Sequence, residues 1–209
     1  MTSLSSGPAP TEGDAATASA DPSAHGGHAD HTLTGFVIFL CSESVIFLAF
    51  FAGYAVLKTT TPQWLPAGVE GLEVMFPLIN TVVLVSSSGV IWLAERALAR
   101  GQLLRFRLFW LLTIAMGSVF VVGQAIEWQG LNFGLGSGVF GGTFYLLTGF
   151  HGLHVITGIV LMLLMLARSF VPGNYERGDS GVVSVSLFWH FVDVIWIVLF
   201  LLIYVWQPN

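Results

Sequence analysis

The sequence predicts an all-α integral membrane bundle of five transmembrane helices behind a polar N-terminal tail. Hydrophobic residues make up 55% of the 209 residues, only 9% are charged, and the mean hydropathy is +0.80. Ordinary soluble domains carry about 25% charged residues, so this chain has too few charges to keep a globule of its size in water. The composition therefore excludes a soluble enzyme, a nucleic-acid-binding protein and a disordered chain.

Residues 1–32 are predicted to form a disordered, acidic and polar tail, because they contain no Lys, Arg or aromatic residue. A segment of this composition cannot bury enough apolar area to offset the entropy of ordering it. The basic start and apolar core of a signal peptide are also missing. His25, His28 and His31 are spaced by three within the tail. Since no further metal ligand lies nearby, we interpret them as part of a solvated segment.

Five long apolar runs follow the tail, at about residues 33–57, 74–94, 108–126, 139–167 and 182–206. Each approaches or exceeds the ~20 residues that a helix needs to cross a bilayer. Strands of a membrane barrel would be ~10 residues long with alternating polarity. Backbone groups in lipid must be satisfied within their own segment, so the runs are predicted to be helices. No repeat or long linker divides residues 33–206, which form one predicted domain.

The connections predict the orientation of the bundle. Two loops on one side carry six arginines, and the opposite side carries a single lysine, Lys58. The six are Arg96, Arg100, Arg105, Arg107, Arg168 and Arg177. Because cytoplasmic loops are enriched in Lys and Arg, the N-terminus is predicted to lie in the cytoplasm and the C-terminus outside.

Titratable side chains of three different spans are predicted to converge on one layer near the middle of the membrane. A rise of ~1.5 Å per residue places Glu43 and Asp193 about 15 Å, His190 about 10 Å and His154 about 18 Å from the cytoplasmic ends of their spans. His151 lies one turn further out. Intramembrane ionisable residues are expensive and are candidates for function by default. We expect a buried polar cluster between the first, fourth and fifth helices.

Three interpretations of this cluster remain open. The histidines could ligate a haem or copper, the acids and imidazoles could relay protons, or they could hydrogen-bond between helices and fix their packing. Glu127, next to Trp128 near the outer end of the third span, is interpreted as an interfacial residue. The single cysteine, Cys41, excludes an internal disulfide and a CxxC site. No Walker, G-x-S-x-G or H-E-x-x-H motif occurs.

Two long motifs resemble subunit III of the haem–copper oxidases. Residues 150–155 read FHGLHV, and residues 189–196 read WHFVDVIW, which is similar to the last-helix signature of that family. Ser42-Glu43 with the following apolar residues resembles the segment that bears the family's intramembrane glutamate. Three shorter segments fall in the family's order, at 77–81 (PLINT), 124–127 (QAIE) and 138–143 (GVFGGT). The resemblance covers residues 33–206.

The chain departs from the larger members of that family in one respect. Those members have seven spans, and this sequence matches only the last five. The missing first pair forms one arm of a V-shaped, lipid-filled cleft in the larger proteins, so lipid contacts made by those helices cannot be transferred to this chain. Another subunit, or lipid alone, would take their place.

The resemblance implies a non-redox subunit of an aa3-type cytochrome c oxidase, without a catalytic centre or cofactor of its own. Haem and copper would reside in subunits I and II, and phospholipid would be bound. The expected partners are subunit I as the main contact, subunit II, a small subunit IV and membrane lipids. The implied role is to stabilise subunit I, its lipid surroundings and proton uptake in a bacterial plasma membrane or an internal energy-converting membrane.

Other functions remain as alternatives to that role. A subunit III of a related quinol oxidase and a subunit III-like protein of nitric oxide reductases share the same features. A transporter or channel would instead be expected to show inverted repeats or broken helices around a midplane site, and the sequence shows neither.

Overall fold

A computed structural model describes residues 24–66, 68–69, 71–173, 175 and 180–207, with only the backbone described for 24–33 and 180. This part of the chain forms five helices and contains no strand. They are α1 (Ala24–Thr60), α2 (Met75–Ala99), α3 (Leu103–Gly130), α4 (Gly138–Arg168) and α5 (Ser180–Phe200). Each of the five is long and apolar enough to cross a membrane, which confirms the predicted five-span, all-α fold.

Several helices extend beyond the predicted apolar runs. The backbone of α1 is already helical at Ala24, inside the segment predicted to be a tail, and α3 begins at Leu103 rather than near residue 108. Adding residues to an existing helix gains hydrogen bonds without the cost of a new nucleus, so helices continue into polar sequence. The remainder of the predicted tail, and the side chains of His25, His28 and His31, lie outside the described residues.

A tight turn makes α2 and α3 antiparallel neighbours. Gly101, with φ +71°, donates its N–H to the carbonyl of Leu98 at 2.8 Å, and Gln102 donates to that of Ala97 at 2.9 Å. This pair of bonds is a Schellman motif, in which glycine takes the left-handed conformation that side chains disfavour. Three residues, Arg100, Gly101 and Gln102, therefore suffice to reverse the chain.

Helix α5 lies at the centre of the bundle. Within its apolar stretch, 56% of the residues are buried, against 17% in α1. The fully buried Trp189 of α5 fits against two glycines: a Cβ on Gly117 of α3 would lie 2.5 Å from its ring, and one on Gly158 of α4 would lie 2.8 Å from it. Small residues on α3 and α4 thus allow the central helix to pack closely.

The two ends of the bundle differ in charge. The basic end holds the α2–α3 turn and the end of α4, where Arg107 donates to the side chain of Ser169 at 3.1 Å and also to its carbonyl. Tyr175 donates to the carbonyl of Met165 at 2.6 Å in the following loop. Burial raises the pKa of Tyr175, partly offset by Arg168 and Arg107. Arg177 of the same predicted basic loop lies outside the described residues.

At the opposite end, the C-terminal segment holds the α1–α2 loop in place. Helix α5 continues as one π-helical turn, Leu201–Val205, closed by a bond of 2.9 Å from the N–H of Trp206 to the carbonyl of Leu201. The Gln207 amide then accepts from the N–H of Leu72 at 2.9 Å and donates to its carbonyl at 3.0 Å. This two-point contact fixes the backbone just before α2.

Candidate functional site

The first part of the candidate site is a contact between α1 and α4. The Oε2 atom of Glu43 lies 3.2 Å from the Nε2 atom of His154, and the two side chains are 18% and 14% exposed. The aromatic rings of Phe47 and Phe150 lie 5.1 Å and 4.8 Å from the imidazole. The pair therefore lies in an apolar, aromatic setting between helices.

Hydrogen-bond geometry determines how many protons this pair holds. The Nδ1 atom of His154 lies 2.8 Å from the carbonyl oxygen of Phe150. A carbonyl can only accept, so Nδ1 carries hydrogen and donates. The contact between Nε2 and Glu43 then needs one further proton. Either this proton lies on Glu43, and the imidazole is neutral, or it lies on Nε2, and an imidazolium faces a carboxylate. In both forms the pair has no net charge, which lowers the cost of placing it in a membrane.

The second part of the site joins α5 to α2 through a serine. The hydroxyl of Ser88 donates to Oδ2 of Asp193, and Nδ1 of His190 lies 2.9 Å from the same hydroxyl oxygen. A hydroxyl has a single proton, which here goes to the carboxylate, so His190 must donate to Ser88. The result is a short chain from imidazole to hydroxyl to carboxylate. The other carboxylate oxygen, Oδ1 of Asp193, is buried and has no hydrogen-bond partner in the described part of the chain.

Two tryptophans of the same α5 motif also donate to hydroxyl groups of α2. The indole N–H of Trp189 donates to Ser87 at 2.8 Å, and that of Trp196 donates to Thr81 at 2.9 Å. Together with Ser88, these hydroxyls form the α2 hydroxyl row, which comprises Thr81, Ser87 and Ser88. Buried polar groups need such partners, so the row holds the WHFVDVIW segment in one register against α2.

The sequence reasoning did not single out the α2 hydroxyl row. A signal was present, because residues 86–88 are three consecutive serines in an otherwise apolar span. Thr81 precedes Ser88 by seven residues, which places both on one face of a helix. Helical spacing alone does not say that this face points to α5, since that depends on how the bundle assembles.

His151 forms the third part of the site and differs from the other two histidines. It is fully buried, and neither ring nitrogen has a hydrogen-bond partner among the residues that the structure describes. Its ring lies 4.8 Å from that of Trp196, and the edge-on ring of Phe120 lies 5.8 Å away. His151 is therefore packed as an aromatic side chain and is not part of either hydrogen-bonded group.

The structure thus divides the five residues of the predicted single cluster into three groups. Glu43 and His154 meet between α1 and α4. No hydrogen bond among the described residues joins them to His190, Asp193 or His151. The reason is rotational: depth follows from position along a helix, but the direction of a side chain around its helix follows from packing. Asp193 faces α2, whereas His154 faces α1.

The described residues contain no group of three or more His, Cys, Asp or Glu side chains placed to hold a metal ion. Each hydrogen-bonded group brings at most one imidazole and one carboxylate together, and the other contacts of the rings are aromatic. Cys41 is an exposed thiol on α1. The chemistry that these side chains can perform is the sharing and holding of protons and the joining of helices.

Glu127 lies apart from these groups, three residues before the end of α3. Its Oε2 atom accepts a hydrogen bond of 2.9 Å from the amide of Gln124. Together with Glu73, from the segment before α2, it lines a cavity of about 390 Å³ at the end of the bundle opposite the arginines. This position is where the sequence predicts an interfacial residue.

The five long apolar helices define a multi-pass membrane protein whose intramembrane carboxyl groups are paired between helices. The family model of cytochrome c oxidase subunit III matches residues 18–208. A "Cytochrome c oxidase subunit 3" of Synechocystis sp. is 43% identical over 181 residues, which cover 86% of this chain and 78% of the relative. One from Thermostichus vulcanus is 44% identical over 179 residues, covering 85% and 89%.

More distant relatives carry the same description. The protein of that name from Ornithorhynchus anatinus is 36% identical over 178 residues, covering 82% of this chain and 68% of its own length. The chain belongs to the cytochrome c oxidase subunit III family. It is therefore a multi-pass membrane component of an oxidoreductase complex, in which this subunit is itself non-catalytic.

Proposed function

We propose that this chain is the supporting subunit III of an aa3-type cytochrome c oxidase. It packs on subunit I, contacts subunit II and a small subunit IV, and lies in the plasma membrane or an internal energy-converting membrane of a bacterium. Haem and copper belong to subunits I and II. The chain stabilises subunit I, its surrounding lipid and the uptake of protons during the reduction of oxygen to water.

The observation that carries this proposal is the internal pairing of the intramembrane acids. Glu43 is paired with His154, and Asp193 accepts from Ser88. Acids that served as ligands to a redox metal would instead converge with further ligands on one point. Their pairing across helices supports a subunit whose buried polar groups maintain its own fold, so that it can offer a defined face to a partner.

The names of the relatives favour cytochrome c over quinol as the electron donor of the complex. The relatives compared above are described as subunits of cytochrome c oxidase, across cyanobacterial and animal sources. The donor is bound by other subunits. The preference for cytochrome c therefore describes the complex that this chain joins, and not a binding site on the chain itself.

The test compares the purified oxidase with and without this subunit under continuous turnover. Helix packing in lipid rests on many small contacts and a few hydrogen bonds, so removing the subunit should loosen the exposed helices of subunit I without removing a metal ligand. We expect an unchanged haem spectrum, initial oxygen reduction, and then progressive inactivation as proton supply slows. Adding back the purified chain should restore endurance.

Two results would contradict this role. Immediate and complete loss of oxygen reduction with release of haem would mean that the chain helps to hold the catalytic site. Identical activity against time with and without the chain would mean that it supports neither endurance nor proton uptake.

A further inference from the structure

A second potential site lies on the α2–α3 face, away from the paired acids. Two cavities meet there, one at the end of the bundle opposite the arginines and one along the membrane-spanning part of the helices. They have volumes of about 390 Å³ and 430 Å³ and share Phe76 and Ile126 as walls. We name the first the head cavity and the second the chain groove.

The head cavity is acidic. Glu73 and Glu127 both line it, and the carboxyl group of Glu127 also accepts a hydrogen bond from the amide of Gln124. The described residues of its wall include no Lys, Arg or His. The only basic residue that the sequence places at this end is Lys58, which lies over the ring of Trp206 at 4.3 Å. The head cavity therefore attracts a cation and repels an anion.

The chain groove, by contrast, is apolar. The described residues of its wall are Phe76, Ile79, Asn80, Val83, Ser118, Val119, Val122, Gly123 and Ile126. Its two polar members already have partners: the amide of Asn80 donates to the carbonyl of Phe120 at 3.0 Å, and Ser118 donates to that of Ile114 at 2.8 Å. A ligand in the groove would therefore make contacts with hydrocarbon groups and would not need to form a hydrogen bond.

The groove is long enough to hold part of a lipid chain. From Ser118 to Ile126 it follows α3 for about 12 Å at the rise of an α-helix. Its walls are almost entirely apolar and it lies within the membrane-spanning part of α2 and α3, so an extended acyl chain can lie along it.

We propose that these two cavities bind one zwitterionic phospholipid with an ammonium headgroup. The ammonium lies between Glu73 and Glu127, and one acyl chain follows the groove between α2 and α3. Charge complementarity selects this class over an anionic phospholipid, whose headgroup would meet two carboxylates without a neighbouring base. The site goes beyond the supporting role proposed above, because it belongs to this chain's own surface whichever oxidase the chain joins.

Lipid retention by the assembled oxidase tests the charge part of the proposal. The complex is delipidated, offered dioleoyl phosphatidylethanolamine or dioleoyl phosphatidylglycerol at equal concentration, and analysed by native mass spectrometry. We expect the wild type to retain about one more phosphatidylethanolamine molecule than a Glu73→Gln/Glu127→Gln variant. Glu95→Gln, which removes a carboxylate at the basic end of α2, is the matched control and should behave as the wild type.

Photocrosslinking tests the place of binding. A phosphatidylethanolamine with a diazirine on its acyl chain should label peptides of α2 and α3 around Val83 and Val119. Labelling should fall severalfold in Val122→Trp, which fills the groove from a side chain that is 58% exposed. A normal yield of assembled complex with an unchanged haem spectrum establishes that each variant is folded.

Three outcomes would overturn the proposal. The first is equal retention of the two lipids by the wild type. The second is equal phosphatidylethanolamine retention by the wild type and the double glutamine variant. The third is crosslinking of a photoreactive residue at Val119 to another subunit instead of to lipid, since a polypeptide would then cover the groove. None of these readouts depends on oxidase turnover, so they stand or fall separately from the role proposed for the whole subunit.

Discussion

The Nε2 atom of His154 lies 3.2 Å from the Oε2 atom of Glu43, while Nδ1 of the same ring donates to a carbonyl of its own helix. The His154 imidazole therefore links α4 to α1, and its bond to the carbonyl of Phe150 keeps a hydrogen on Nδ1. The link matters most for α1, because only 17% of its apolar stretch is buried in the bundle. A loosely packed helix depends more on each specific contact that it makes.

Glu43→Ala should weaken the attachment of α1 by roughly 1–3 kcal/mol, the usual cost of leaving a buried polar group unsatisfied. Glu43→Gln should recover most of this loss, because its amide can donate to Nε2 of His154. The measurement is the thermal stability of the purified subunit in detergent. If glutamine and alanine destabilise equally, the hydrogen bond does not hold α1.

The contact between Ser88 and Asp193 should appear as a coupling energy. Asp193→Ala alone is expected to cost roughly 1–3 kcal/mol by stranding its partners. A double-mutant cycle with Ser88→Ala should give a coupling of about 0.5–3 kcal/mol, read from stability or from the yield of assembled complex. Electron transfer in the complex that does form should be unchanged.

Ser86→Ala is the matched control for that cycle. Ser86 is exposed, and its hydroxyl donates to the carbonyl of Val83 in its own helix. It should therefore show no coupling to Asp193. Comparable coupling for Ser86 and Ser88 would mean that the α2 hydroxyl row does not act through its contacts with α5.

Gly158→Ala should destabilise the bundle by about 1–3 kcal/mol, the usual cost of overpacking a core. Its new Cβ would lie 2.8 Å from the ring of the fully buried Trp189. Gly152 of the same helix has nothing within 4 Å of an added Cβ, so Gly152→Ala should be neutral or slightly stabilising. Equal effects in a thermal melt would refute the close approach of α4 and α5.

The orientation can be tested by cysteine accessibility in a Cys41→Ser background. Gln102→Cys, in the turn between α2 and α3, should react only with reagents that reach the cytoplasm. Asn132→Cys, in the loop before α4, should react from outside the cell. The expectation rests on the six-to-one bias of basic residues, and the reverse labelling pattern would invert the topology.

Metal analysis of the isolated, full-length subunit should find no haem absorbance and no stoichiometric copper or zinc. The reason is that His154 is occupied by Glu43 and Phe150, while His151 is enclosed by aromatic rings. One equivalent of any of these metals that survives dialysis against a chelator would show that the histidines ligate after all.

The sequence alone was sufficient for the five spans. It placed Glu43 near the depth of His154, His190 and Asp193 without choosing among them as its partner. Span positions follow from composition, because a bilayer admits only long apolar helices. The depth of an intramembrane residue follows from the helical rise. Two side chains of equal depth and complementary chemistry are plausible partners whenever their helices are neighbours, and α1 and α4 are neighbours here.

What the sequence could not decide was the direction of each side chain around its helix. His151 and His154 are one turn apart on α4, yet the first meets Trp196 and Phe120 while the second meets Glu43. Asp193 and His190 turn to Ser88 on α2, and the run of serines at 86–88 does not by itself say which helix it faces. These choices depend on the rotation of five helices against one another. That rotation is set by the packing of residues far apart in the chain, such as Trp189 against Gly117 and Gly158, and only the tertiary structure contains it.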